Sequence, residues 1–170
     1  LTSLTGRPEI LAAGMANLLV AGAFHGAVVG FLPLRASALS ISDETFGLLF
    51  SVRTLVSTAA RLPAGFLNVR FSARRVMIAT LTVLGAAHLF ASYATGCAGL
   101  VASMVLEGIA YGIFITSGQD FVIERSSSGD RGAVVGLYGT LGSLGSTIGP
   151  LVLGLVADSL GLRPVFGLSG

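Results

Sequence analysis

The chain has 170 residues, 53% of them hydrophobic and 11% charged, with a formal net charge of +2 and a mean hydropathy of +0.88. Soluble domains carry about a quarter charged residues, so a water-soluble globule is excluded and lipid is the expected solvent. The basic residues are all arginines, set between apolar runs rather than in a stripe, which speaks against a nucleic-acid partner; Cys97, the only cysteine, excludes an internal disulfide and a metal pair.

Taken in chain order, the apolar runs are each close to the roughly 20 residues that span a bilayer. The chain opens at Leu1, which reads as a piece of something longer. Arg7 then leads into a first span over 10–33, with no A-x-A-type cleavage site and with further spans behind it, so it is not read as a signal peptide. The linker "RASALSISDE" precedes a second span over 45–69, and "RFSARR" separates it from a third over 76–93. After "ATGC" comes a fourth over 98–122, and after "ERSSSGDR" a fifth over 132–157. "RPVFGLSG" opens a sixth near 164 that the chain does not complete. The runs are continuous rather than alternating. The expected fold is therefore an all-α membrane half-domain over 1–170, a bundle of five transmembrane helices plus the start of a sixth, and not a β-barrel. With the N-terminus inside, Arg7, Arg70, Arg74, Arg75, Arg125 and Arg131 are cytoplasmic while Arg35 and Arg163 lie outside, which satisfies the positive-inside rule.

"GFLNVRFSAR" (65–74) and "GLVADSLGLR" (154–163) each open with a glycine at the end of a span and carry an arginine nine residues later. Three spans separate the copies, an odd number, so the second points the opposite way across the membrane. Inverted three-helix repeats of this kind mark secondary transporters.

These residues carry a family resemblance. "GFLNVRFSARR" resembles the loop signature G-x-L-x-D-R-x-G-R-R of the major facilitator superfamily, with Gly65, Leu67, Arg70 and Arg74 in place and Arg75 extending the basic run. Val69 stands where the family has Asp, Ser72 where it has Gly and Ala73 where it has Arg. "GSTIGPLVLG", with Gly145, Gly149, Pro150 and Gly154, looks like the family's G-x-x-x-G-P-x-x-G-G segment of the fifth helix. In "MVLEG", Met104 and Glu107 replace the Arg and Gln of an R-x-x-Q-G pattern common in N-terminal halves. Together with the lost loop acid this favours a C-terminal six-helix half, although the Gly-Pro segment is best known from N-terminal halves of proton-coupled antiporters. The resemblance implies a multi-pass protein of the cell membrane whose other six-helix half belongs to the same polypeptide.

A charge within a span costs roughly 2.5–3.5 kcal/mol on insertion scales, so each needs a reason. Counted from the span centres at about 1.5 Å per residue, His25, Arg53 and Glu107 fall in one layer within about 4–6 Å of the midplane. The resemblance puts all three on cavity-lining helices. Glu107 is the first candidate for proton coupling, because a desolvated carboxylate can bind and release a proton near neutral pH; the alternative is a static carboxylate neutralised by Arg53. Arg53, on a polar stripe with Thr54, Ser57, Thr58 and Arg61, either holds an anionic substrate or is the counter-ion of Glu107. Arg61 is expected to snorkel to the interface. His25 either relays protons or bonds to backbone, and His88, on the peripheral third span, is expected to be structural. Asn17, Ser57, Tyr111 and Tyr138 are the candidate substrate-cavity residues. Asp120 and Glu124 close the fourth span on the side of Arg70, Arg74 and Arg75, where the resemblance implies a latch and ordinary charge balance is the plainer reading. Gly22, Gly26 and Gly30, Gly108 and Gly112, and Gly142, Gly145 and Gly149 form small-residue stripes that let membrane helices pack closely.

No nucleophile–base pair, metal spacing or phosphate loop is present in the sequence, and "GTLGSLG" lacks the lysine of a P-loop. No cofactor is expected. The expected function is that of a secondary transporter for a small solute, with proton-coupled efflux ahead of sugar or organic-anion import and of a non-transporting membrane sensor.

Overall fold

The computed structural model of the protein describes residues 7–170; Leu1 and the Arg163 side chain lie outside the described residues. The first membrane rod is built from α1 (Pro8–Ala23), a π-helical stretch (Phe24–Phe31) and α2 (Leu32–Ala38). Pro8 sits in the first turn of α1 with Glu9 beside it, where a missing N–H and a negative charge are both favourable. The π-helical stretch ends just before Pro33, which falls in the first turn of α2 and so removes no bond that a helix interior would need. The helical path consequently runs to Ala38, beyond the expected end at 33.

Next come α3 (Asp43–Phe71), α4 (Ala73–Tyr93), α5 (Cys97–Glu124), α6 (Arg131–Leu160) and α7 (Leu162–Ser169). Ser42 caps α3 by accepting from the Thr45 amide at 3.3 Å, and Asp43 and Glu44 complement the helix dipole in the first turn. Four rods, 8–38, α4, α5 and α6, are long and apolar enough to cross a membrane. At 29 residues α3 is long enough too, but Arg53, Arg61 and its serines and threonines dilute the apolar run. Among the described residues there is no strand.

The two copies of the glycine–arginine motif fold alike. In the first, α3 passes to α4 through Ser72 alone, at φ 70°. In the second, α6 passes to α7 through Gly161 alone, at φ 86°. Each hinge residue stands at the same place after its motif's glycine. The helix contacts obey the same symmetry. α1 packs along α6 and α3 packs along α5, and exchanging the first three spans for the last three turns one pairing into the other. In both pairings the contacting residue numbers rise together, Asn17 to Gly142 and Gly26 to Gly149, Arg53 to Gly108 and Ser57 to Gly112, so each pair runs parallel. α4 packs on α5 and on α7. The chain is an all-α membrane bundle with inverted three-helix repeats.

Two apolar clusters fill the bundle. One gathers Ile10, Phe114, Phe121, Val122, Val134 and Tyr138 towards the Arg7 end. The other gathers Val28, Leu32, Leu100, Met104, Leu153 and Phe166 towards the opposite end. Leu55, Leu62, Phe66, Leu151 and Leu155 are strongly exposed on the outside of this bundle. The polar site lies between the two clusters.

Candidate functional site: an ion pair beneath two aromatic rings

The buried stripe of α3 is Arg53, Ser57, Ala60, Ala64 and Asn68, one residue per turn facing α5. Thr54, Thr58 and Arg61 point away from it and are exposed, so the polar stripe read in the sequence divides between two faces. Thr54 and Thr58 spend their hydroxyls on carbonyls one turn back.

Arg53 Nε donates to Glu107 Oε2 at 2.6 Å, and Arg53 Nη2 donates to Glu107 Oε1 at 2.7 Å. This two-pronged geometry fits a guanidinium to a carboxylate and is the strong form of the interaction. Both residues are nearly sealed, at 4% and 2% exposure. Two charges that would each be costly at membrane depth thereby become tolerable together. The helix approach that allows it depends on Gly108 and Gly112. A Cβ at Gly108 would stand 2.7 Å from the Arg53 carbonyl oxygen, and one at Gly112 would collide with the Ser57 carbonyl.

Two rings cover the guanidinium. Its carbon lies 4.1 Å from the centroid of Phe24 and 4.7 Å from that of Tyr111, within cation–π range. The rings themselves are 4.9 Å apart. Phe24 and Tyr111 are half-buried, unlike the ion pair beneath them. Phe24 opens the π-helical stretch, a helix form that recurs at functional sites. His25 follows it, and its Nδ1–H donates to the Ala21 carbonyl at 3.0 Å, so it bonds to backbone and does not join the pair. Of the predicted residues, the structure therefore brings Arg53, Glu107 and Tyr111 together, with His25 edge-on to Phe24 at 4.9 Å. Phe24 was missed because a phenylalanine in an apolar run carries no signal until a cation is seen beneath it.

The remaining cavity candidates lie in helix contacts. Ser57 is buried against α5. Asn17 Nδ2 donates to the Tyr138 carbonyl at 2.9 Å, pinning α1 to α6. Tyr138 is buried with its hydroxyl against Gly118 of α5. Gly145 and Gly149 face the backbone of α1 at Leu18 and Gly22. A Cβ at Gly154 would stand 3.9 Å from Phe31 Cζ, and α6 continues through Pro150.

At the Arg7 end the polar groups are wired differently from the latch that the resemblance implies. Asn68 Nδ2 donates to Asp120 Oδ2 at 2.6 Å, and Ser117 Oγ donates to Asn68 Oδ1 at 2.7 Å. Asn68 precedes Val69, the position without the family's acid, and supplies the polar link from α3 to α5 instead. Among the described residues no ion pair involves Arg70, Arg74 or Arg75, all exposed, and Glu124 lies 3.7 Å from its neighbour Arg125. Gly65 touches nothing that a Cβ would disturb. A second cluster, unforeseen in the sequence, ties the start of α1 to the loop before α6. Arg7 pairs with Asp130 at 3.1 Å and donates to the Arg125 carbonyl at 2.9 Å, while Arg125 pairs with Glu9 at 2.5 Å. Desolvation pushes the Asp130 carboxyl up, but its hydrogen bonds with Ser127 and the charge of Arg7 outweigh that and hold it below the usual carboxylate value.

Arg35, assigned by the sequence to the linker after the first span, is 7% exposed. It donates to the carbonyls of Ala91 (3.3 Å), Ser92 (2.9 Å) and Ala94 (2.9 Å), closing the C-terminal end of α4. A cation there is favoured by the helix dipole and by the carbonyls that end a helix unpaired.

An inverted-repeat helical bundle with a charge pair held between apolar layers defines a membrane transport half-domain. The sequence profile of the Major Facilitator Superfamily matches residues 14–170, and the chain belongs to that family. It is 30% identical over 150 residues to the multidrug resistance protein MdtG of Yersinia enterocolitica, covering 85% of this chain and 36% of that protein. It is 28% identical over 162 residues to MdtG of Escherichia coli, covering 88% of this chain and 40% of that one. An uncharacterised MFS-type transporter of Mycobacterium tuberculosis is 28% identical over 134 residues, covering 79% of this chain and 23% of its own length. The chain thus spans well under half the length of these relatives. Its fold superposes on the crystal structure of the nucleoside transporter NupG with a TM-score of 0.84 at 18% identity, over 99% of this chain and 46% of that one. The family consists of multi-pass membrane transporters rather than enzymes.

Proposed function

We propose that the chain is the C-terminal six-helix half of a secondary active transporter that exports a small solute by alternating access, in exchange for protons. The observation that carries this reading is the sealed Arg53–Glu107 pair at membrane depth. When Glu107 takes up a proton the pair loses its charge balance, and Arg53 stays cationic beneath Phe24 and Tyr111. The two-pronged bond between α3 and α5 then weakens, which gives the pair two arrangements that a proton can choose between. Smooth glycine contacts let the helices shift without unlocking large side chains. Export is favoured over anion import because Arg53 is already engaged by Glu107 and roofed by rings, and because the relatives include multidrug resistance proteins. The half-exposed faces of Phe24 and Tyr111 would offer the solute an apolar surface.

The second six-helix half, on the same polypeptide, supplies the other wall of the cavity, and lipid surrounds both. We place the protein in the cell membrane with the Arg7 end in the cytoplasm. Cysteine labels at Ser72 and Ser127 should then react from the cytoplasm and one at Ser40 from outside; the opposite pattern reverses the orientation. The decisive experiment is Glu107→Gln in the full-length protein in proteoliposomes, with lipophilic cations and nucleosides tested as cargo under an imposed pH gradient. Proton-driven flux should drop by about a hundredfold or more, the usual scale for losing a positioned proton carrier. Flux equal to wild type would remove Glu107 from the coupling step. The 170-residue piece alone should transport nothing.

A further inference from the structure

Three arginines at the Arg7 end of the bundle are left without a counter-charge. Arg70 lies at the end of α3, Arg74 and Arg75 lie in the first turn of α4, and all three are exposed with no ion pair among the described residues. The neighbouring helices hold no spare acid. α3 carries its acids, Asp43 and Glu44, at the opposite end, and α4 has none. On α5, Asp120 accepts from Asn68, and Glu124 lies beside Arg125.

Arg75 also borders a groove. Its walls are Leu67 and Phe71 of α3, Val76 and Ala79 of α4 and Ile113 of α5, around a volume of about 340 Å³. Thr80 belongs to the same wall, but its hydroxyl is spent on the Val76 and Met77 carbonyls. Arg75 apart, the side chains therefore offer only hydrocarbon. From Arg75 to Thr80 the groove follows α4 for roughly 7 Å, at about 1.5 Å per residue. It is made by α3, α4 and α5 alone. α7 meets α4 elsewhere, at Gly85 and His88, where Gly170 and Ser169 approach. Val76 is about two and a half turns from Gly85, which puts the groove and the α7 contact on opposite sides of α4.

A hydrocarbon groove with a cation at its membrane-surface end matches a phospholipid, which joins an acyl chain to a phosphate. The surplus of positive charge selects among phospholipids. A zwitterionic headgroup brings a further cation into the arginine cluster, and an anionic one brings none.

We propose that the groove seats one anionic phospholipid of the leaflet at the Arg7 end, with an acyl chain along Val76, Ala79 and Ile113 and the phosphate held by Arg75 with Arg74 beside it. The lipid joins the end of α3 to the start of α4 across Ser72, the single residue between them, at φ 70°. Because it binds the folded bundle and not the separated helices, it adds stability that grows with lipid concentration. The site is independent of the reading of Arg53 and Glu107.

The test counts bound lipid by native mass spectrometry. Full-length protein in detergent is supplied with phosphatidylglycerol or with phosphatidylcholine of identical chains. The wild type should hold one phosphatidylglycerol more tightly than phosphatidylcholine. One arginine near a membrane surface is worth about fivefold in affinity for anionic lipid, so Arg75→Gln should weaken binding by that factor or more. Arg131→Gln removes the same charge from an exposed position at the same end and should leave binding unchanged. Ala79→Phe fills the groove and keeps every arginine. Each methylene barred from it costs about fourfold, so this loss should exceed tenfold. Arg75 and Ala79 are both exposed, so neither change enters the apolar core. Equal retention of the two lipids by the wild type would overturn the proposal, and so would an Arg131→Gln loss as large as that of Arg75→Gln. Either result reduces the site to the general attraction of a basic surface. Undiminished binding to Ala79→Phe would show that no chain enters the groove. Displacement by glycerol phosphate, the headgroup without chains, as effective as displacement by the lipid would make this a free-phosphate site and overturn the proposal too.

Discussion

The two long parallel contacts, α1 on α6 and α3 on α5, are built on the same geometry and filled with different chemistry. In both, glycines on one helix let the backbone of the other come into direct contact: Gly145 and Gly149 against Leu18 and Gly22 in the first, Gly108 and Gly112 against Arg53 and Ser57 in the second. The first contact is apolar apart from Asn17 reaching the Tyr138 carbonyl. The second encloses the Arg53–Glu107 pair and, further along, the Asn68–Asp120–Ser117 chain. The inverted repeat thus supplies two equivalent packing surfaces, and only one of them encloses an ion pair at depth.

That contrast can be broken from either side. Arg53→Met alone leaves a sealed, uncompensated carboxylate and should lower stability by about 3–5 kcal/mol, whereas Arg53→Met with Glu107→Leu should recover most of the loss. Unfolding in mixed detergent measures both, and a double variant as unstable as the single one would mean that the pair organises the contact. On the apolar side, Gly145→Ala forces a methyl group into the Leu18 backbone and should cost about 1–3 kcal/mol by overpacking. A melting curve for that variant indistinguishable from wild type would show that α1 and α6 are not in backbone contact.

The two hinges extend the comparison. Gly161 meets a positive φ at no steric cost, while Ser72 meets the same demand with a side chain, at a position where the resembled motif has glycine. Residues held in such regions cost of order 1–3 kcal/mol, so Ser72→Gly should raise stability by about 1 kcal/mol in a thermal melt. The converse, Gly161→Ser, should lower it. The smallest effect belongs to the Arg7–Asp130 contact at the bundle end. Because the folded-state carboxyl is held below its ordinary value of 3.8, its contribution is complete above that value and fades only as pH falls beneath it. Asp130→Asn should therefore change stability slightly at neutral pH and not at all in strong acid, which parallel melts at the two pH values would reveal.

Much of this was legible in the residues. Arg53 and Glu107 stood out because a charge in a long apolar run requires a partner, and helical rise placed them at one depth. The repeat was visible because a glycine and an arginine keep their spacing in both copies. What sequence spacing could not reveal was which side of each helix faces which neighbour. Thr54 and Thr58 share a polar run with Arg53 but turn outward, and Phe24 is one aromatic among many until the guanidinium lies under it. Arg35 read as a linker residue because the π-helical stretch that precedes Pro33 in the continuing helix has no sequence signature.

The sequence by itself determined the solvent, the number and order of the apolar rods, the inverted repeat and the charges that must be neutralised, since all of these follow from local composition and helical rise. Tertiary structure alone decided the pairing. Whether Glu107 meets Arg53 and whether Asn68 takes over from the absent acid at Val69 depend on helix rotation and crossing. Those are set by the glycine contacts between rods far apart in the chain, and no short stretch of sequence contains them.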